Sequence, residues 1–100
     1  MERFRPLDPA ARRVLTWSFA EDLNPGESLS GATISITTLA GEDSDPEAVK
    51  VGDLVVQGHL VLQMAAGRPD GNAYVLKCLA TTTAGEILAL SAVLTMQEGA

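Results

Sequence analysis

The sequence predicts a small all-β sandwich, and three observations carry that prediction. Within Glu27 to Leu39, Ala32, Ile34 and Ile36 alternate with Thr33, Ser35 and Thr37, a clean period of two. From Asn72 to Thr83 and from Glu86 to Met96, two apolar runs flank an Ala84-Gly85 turn, which is a hairpin signal. Clusters of Gly, Pro, Asn and Asp punctuate the chain between such runs. About six or seven strands spaced in this way fit two packed sheets.

Composition sets the bounds. A chain of 100 residues makes one domain, 1–100, with a single modest core that needs neither metal nor disulfide. At 46% hydrophobic the chain is globular. Its aromatic residues are Phe4, Trp17, Phe19 and Tyr74, so the core must be mostly aliphatic. A formal net charge of -6 argues against nucleic-acid binding, which needs clustered Lys and Arg on one surface. The basic residues instead gather early, at Arg3, Arg5, Arg12 and Arg13, and read as a solvated terminal segment. Cys78 is the only cysteine, so no internal disulfide forms. The sequence shows no signal peptide and no apolar stretch long enough to span a bilayer, so the expectation is a soluble protein made in a cytoplasm.

In chain order, residues 1–9 read as irregular, because Pro6 and Pro9 interrupt a ladder. Residues 10–23 admit two readings. Ala11, Leu15, Phe19 and Leu23 form a helical stripe, with Asp8-Pro9 as its start and Asn24-Pro25-Gly26 as its stop. Alternatively, Leu15, Trp17 and Phe19 form one face of a strand and Val14, Thr16 and Ser18 the other. In the strand after Glu27, Leu29 falls off the alternating phase, and a bulge near Ser30-Gly31 restores it. Residues 40–48 form an acidic, solvated loop carrying Glu42, Asp43, Asp45 and Glu47, without the spacing of a calcium loop. Val49 to Ala66 holds one or two strands: a short one at Val49 and Val51, then Asp53 to Ala66 with Leu60, Leu62 and Met64 alternating. Gly67 to Gly71 is a turn. Tyr74, Leu76, Cys78 and Ala80 then share one face. The last strand is apolar on both faces, and composition does not choose its inward side.

No residue set rises to a catalytic constellation, and no catalytic, cofactor or metal site is assigned. His59 is the only histidine, so no second His can complete a metal site with it. As a base it would need a nucleophile and an orienting carboxylate. Cys78 lies in phase with Tyr74 and Leu76 and reads as a small core hydrophobe. Ser18, Ser28, Ser30, Ser35, Ser44 and Ser91 stand in no nucleophile-elbow context, and the glycines form no phosphate loop. Trp17 reads as partly buried against the core, and Thr81-Thr82-Thr83 as the end of a strand.

Several motifs together carry a family resemblance. Asp8-Pro9 opens the pattern, and Leu23-Asn24-Pro25-Gly26-Glu27-Ser28-Leu29 forms a turn leading into Ala32-Thr33-Ile34-Ser35-Ile36. Asp70-Gly71-Asn72-Ala73-Tyr74 and Thr81-Thr82-Thr83-Ala84-Gly85 follow. From residue 8 to residue 96 the chain resembles a group of small tailed-bacteriophage structural proteins with an immunoglobulin-like sandwich, the fiber–tail adaptor or accessory virion type. It departs from that group in Leu15, Ser18 and Phe19, where the group carries Tyr, Asp and Trp, in Ala66-Gly67 for a double glycine, and in Glu86 for the hairpin Arg.

The resemblance implies an immunoglobulin-like, or fibronectin-III-like, fold and favours the strand reading of 12–19. It implies a non-enzymatic phage or prophage virion protein that makes protein–protein contacts, with a link between fiber and tail as its expected place. Its partners would be other virion proteins, its copies would form a homo-oligomer in the particle, and it would need no cofactor, nucleic acid or membrane. The alternative is an immunoglobulin-like or fibronectin-like binding module of a bacterial surface protein, and a small hydrolase stands third. The loops at 40–48 and 67–72 and the N-terminal arginines are the contact candidates by exposure.

Overall fold

The structure, a computed structural model, describes residues 2–100. Its strands in chain order are β1 (Glu2–Arg3), β2 (Arg12–Ser18), β3 (Leu29–Ala40), β4 (Lys50–Gln57), β5 (Leu60–Ala66), β6 (Ala73–Thr82) and β7 (Ile87–Thr95). A single turn of 3-10 helix, Pro46–Val49, precedes β4. One sheet has the order β1-β7-β6-β3 and the other β2-β5-β4. Every strand pair is antiparallel except β1 with β7, which is parallel. The two sheets pack face to face, so the chain is an all-β sandwich. Among the described residues, no helix is long and apolar enough to cross a membrane.

The strand reading of 12–19 holds. Leu15, Trp17 and Phe19 are 2%, 3% and 0% exposed, while Val14, Thr16 and Ser18 face out. The helical stripe would have left Trp17 off the apolar face. The strand buries Trp17 beside Leu15 and Phe19, and edge-to-face contact with Phe4 at 5.2 Å adds to it. Trp17 is thus more completely buried than the sequence implies.

In β3 the expected bulge appears as a register shift between Leu29 and Gly31, which returns Leu29 to the core. The turn before it closes by Glu27 N–H donating to the Asn24 carbonyl at 3.0 Å. Pro25 and Gly26 occupy its two central positions, and Gly26 takes φ +84, which a type II turn requires there.

Two readings need correction. Residues 1–9 are not wholly irregular: Arg3 pairs with Val93, and Leu7 bridges to Met96. The prolines do not prevent this, because Phe4 and Leu7 supply the amides, to the carbonyls of Val93 and Thr95. Residues 49–66 turn at Gly58-His59, giving β4 and β5, and near Val51 the chain stays within one strand whose pairing shifts register between Val51 and Val55. In β5 the alternation expected at Leu60, Leu62 and Met64 is present, and the fold turns those residues outward and Val61, Gln63 and Ala65 inward. This choice of side puts a glutamine in the core. Its amide is satisfied there by donating to the Val51, Gly52 and Met64 carbonyls at 3.0–3.2 Å.

Tyr74, Leu76, Cys78 and Ala80 of β6 are fully buried at the centre of the core. Opposite them, β7 turns Leu88, Leu90, Ala92 and Leu94 inward, with Met96 just beyond its end. Gly67 marks a close approach of backbones. A Cβ placed there would overlap the Pro9 and Asp8 carbonyls, and the Gly67 N–H already donates to the Ala11 carbonyl at 2.8 Å. Gly67→Ala is expected to cost about 1–3 kcal/mol by urea unfolding. Gly31→Ala, whose Cβ meets nothing within 4 Å, is expected to change stability by less than about 0.5 kcal/mol.

Candidate functional site

The densest polar cluster sits at one end of the sandwich, where the segment after β3 meets the β5–β6 turn. Arg68 donates from Nε and Nη2 to the two oxygens of Asp43 at 2.9 and 2.8 Å, a bidentate fork. The Tyr74 hydroxyl donates to Asp43 Oδ2 at 2.7 Å, and the Asp45 amide to Oδ1 at 2.9 Å. The Asn72 amide group reaches the Tyr74 hydroxyl and the Glu42 carbonyl. The Asp43 side chain is 2% exposed. Arg68, then Tyr74 and the Asp45 amide, hold its carboxyl well below the usual range, and Asp43 in turn raises Arg68. Burial pushes the Tyr74 hydroxyl up.

Glu42, Asp45 and Glu47 of the acidic loop 40–48 are exposed as expected, and Asp43 alone departs from that reading. Asp43 is a buried staple that fixes both loops. Its carboxylate oxygens are occupied by four donors, so the chemistry it offers is positioning. Sequence reasoning missed it because Asp43, Arg68 and Tyr74 lie 25 and 31 residues apart. The one signal was Tyr74 in phase with a core face, since a buried tyrosine hydroxyl needs a partner.

The side of the sandwich between β3 and β4 carries a second polar device. Glu47 accepts the Ile36 N–H at 2.7 Å, Lys50 donates to the Ile34 carbonyl at 2.7 Å, and the two join at 2.9 Å. They occupy backbone groups on the outer edge of β3 that another strand would otherwise use. Lys50, and then the Ile36 amide, lower the Glu47 carboxyl. Below them a groove of about 300 Å³ runs between Ala32 and Ile34 of β3 and Gly52 to Leu54 of β4.

The opposite side, between β1 and β2, is basic. Arg13 donates to the Pro6 carbonyl at 3.1 Å and to the Arg5 carbonyl, tying the two sheets together. Burial, with Arg5 nearby, lowers the Arg13 guanidinium. A groove of about 370 Å³ is rimmed by Arg5, Arg12 and Arg13. The arginines are therefore solvated as expected at Arg3, Arg5 and Arg12, but they sit on the folded sandwich, with Arg13 partly covered.

The outward sheet faces are partly apolar. Val14, Met64 and Val51 pair across the three-stranded sheet, next to the Leu62–Val55 pair. Val14, Val55 and Met64 are exposed there, and Leu79 and Ile87 on the other sheet.

The remaining candidates are scattered. His59 lies exposed in the β4–β5 turn, at the end opposite Asp43. Cys78 is fully buried, and burial pushes its thiol up to about 11. A thiol reagent at about pH 8 is expected to label the native chain only slowly, and at once in denaturant. Rapid labelling of the native chain would contradict that placement. Among the described residues, no group of three or more His, Cys, Asp and Glu is placed to hold a metal ion. No family model matches the chain, and no curated protein matches it.

Proposed function

We propose that the chain is a non-enzymatic structural module that works by protein–protein contact, as a phage or prophage virion component of the fiber–tail adaptor type. One observation carries the contact reading. The best-built polar cluster, Asp43 with Arg68, Tyr74 and Asn72, is consumed in holding loops. What remains presented are apolar sheet faces and charged sides, the means by which surfaces complement one another.

The connectivity supports an immunoglobulin-like fold. With strands lettered in chain order, C, F and G share one sheet and B, E and D the other, as in immunoglobulin sandwiches. The first strand lies on the G edge rather than beside B. Tyr74 opens strand F, where such sandwiches place a corner tyrosine, although its hydroxyl here goes to Asp43. The virion assignment itself rests on the sequence resemblance, whose turn at Leu23 to Leu29 and hairpin at Thr81 to Gly85 occupy turns of this fold.

Purified particles from an induced lysogen carrying the gene test this directly. Mass spectrometry is expected to find the chain at a fixed ratio to the tail proteins. Its absence from intact particles would overturn the virion reading.

A further inference from the structure

We propose that copies of this chain join side by side, the arginine side of one against the acidic side of the next. The proposal rests on the contact reading above and names its partner as a second copy.

The placement of charge carries it. Of the seven basic residues, Lys50 and Arg68 are neutralised where they stand by Glu47 and Asp43. Lys77 lies alone on the outer face of β6. The other four, Arg3, Arg5, Arg12 and Arg13, all fall on the side between β1 and β2. Asp8, the acidic residue among them, already accepts from the Ala10 and Gly99 amides, while Glu2, Glu21 and Asp22 gather around a separate groove with Ser18, toward the other end of β2. The far side, between β3 and β4, presents Glu42, Asp45 and Asp53, all exposed. A protein of net charge -6 thus keeps nearly all its free positive charge on one side and an acidic surface on the other.

Backbone pairing between these sides is disfavoured. β1 is two residues long, the β3 edge is occupied by Glu47 and Lys50, and β4 is broken by a register shift between Val51 and Val55. Side-chain electrostatics is the mode left.

The size is sufficient. The molecule measures 42 × 23 × 20 Å. One side therefore offers on the order of 800 Å², what a partner contributes to a standard interface.

Both patches also lie toward the same end of the sandwich. Arg12 begins β2 at the end where β3 finishes, and the acidic segment 41–49 starts from that end. Joined copies would keep their strands in one direction. The contact uses different surfaces on the two partners, so repetition gives a ring if the rotation closes and a filament if it does not.

Salt decides when this shows. At about 150 mM salt the Debye length is about 8 Å, so touching patches attract while the bodies' net charges are largely screened from one another. At about 1 M it falls to about 3 Å and the patch attraction goes too. Association is therefore expected to peak near physiological salt.

Sedimentation velocity at about 200 µM protein, across that salt range, tests the proposal. The full chain is expected to associate near 150 mM salt. Arg5→Glu/Arg12→Glu carries two acidic sides, and Glu42→Arg/Asp53→Arg two basic ones. Each alone is expected to associate at least tenfold more weakly, with circular dichroism unchanged. Mixed in equal amounts, they are expected to regain association, because each supplies the side the other lacks. A monomeric parent chain at every salt concentration, variants that associate as the parent does, or a mixture that stays monomeric would each overturn the proposal. Particle composition reads the virion assignment separately, so either idea can fail without the other.

Discussion

Phe19→Ala is expected to destabilise the fold by about 3–5 kcal/mol, measured by urea unfolding. That is a large share of the 5–15 kcal/mol typical of a domain. Phe19 is 0% exposed and sits just past the end of β2. Its amide donates to the His59 carbonyl, and its carbonyl accepts from the Asp22 amide, both at 2.9 Å. Those backbone bonds survive truncation and hold the site open, so the ring's volume remains as a cavity. Ser18→Ala, one residue earlier on the outer face, is expected to shift stability by less than about 0.5 kcal/mol. Similar costs at 18 and 19 would contradict the strand alternation through this segment.

Stability is expected to be level from neutral pH down to about pH 5 and to fall below that. Three carboxyls are held below their usual range in the folded chain. Asp43 is held mainly by Arg68, Glu47 mainly by Lys50, and Asp8 by the Ala10 and then the Gly99 amides. The sign follows from linkage. A depressed folded pKa contributes stability that is fully present above the unfolded values, about 4 for these groups, and is lost as pH falls toward the folded ones. Arg68→Met removes the main partner of Asp43 and leaves a carboxylate that is 2% exposed without its cation. Arg68 is itself about one-third exposed, so part of the attraction is screened by water. The melting temperature at pH 7 is expected to drop by roughly 5–10 °C. The variant's stability should fall less steeply with acid than the parent's, because its Asp43 is no longer held below the unfolded value and contributes less loss as pH falls. An unchanged melting temperature and acid profile would show that the staple does not hold the loops.

The sequence made the sandwich legible wherever a period of two met an unambiguous turn. Ala32 to Ile36 and Tyr74 to Ala80 are such places, and even the bulge at Ser30-Gly31 follows from Leu29 being out of phase. It left the side of β5 open, and there the conspicuous Leu60, Leu62 and Met64 face outward. Hydrophobicity alone ranks those residues above Gln63, whose burial depends on three carbonyls brought by the fold. The inward side of β7 was illegible because both of its faces are apolar. Only the register against β6, pairing Leu94 with Tyr74 and Leu90 with Cys78, selects one. The charged features were legible in composition and not in role. Four early arginines are plain in the sequence, but their gathering on one side depends on β1 lying along β7 and β2 along β5. The Asp43 staple joins residues from the two connections that meet at one end, a nearness that no local spacing encodes.

The connectivity underlies both the immunoglobulin-like reading and the placement of the two charged sides. Solution NMR of the labelled chain tests it most directly, through cross-strand contacts between backbone protons. The account predicts contacts linking Leu15 with Gln63, Ile34 with Cys78 and Arg3 with Val93. It predicts no ladder between β2 and β3, which lie in different sheets. A simple meander, with β2 paired to β3 and no contact from β1 to β7, would contradict it and remove the basis for both proposals.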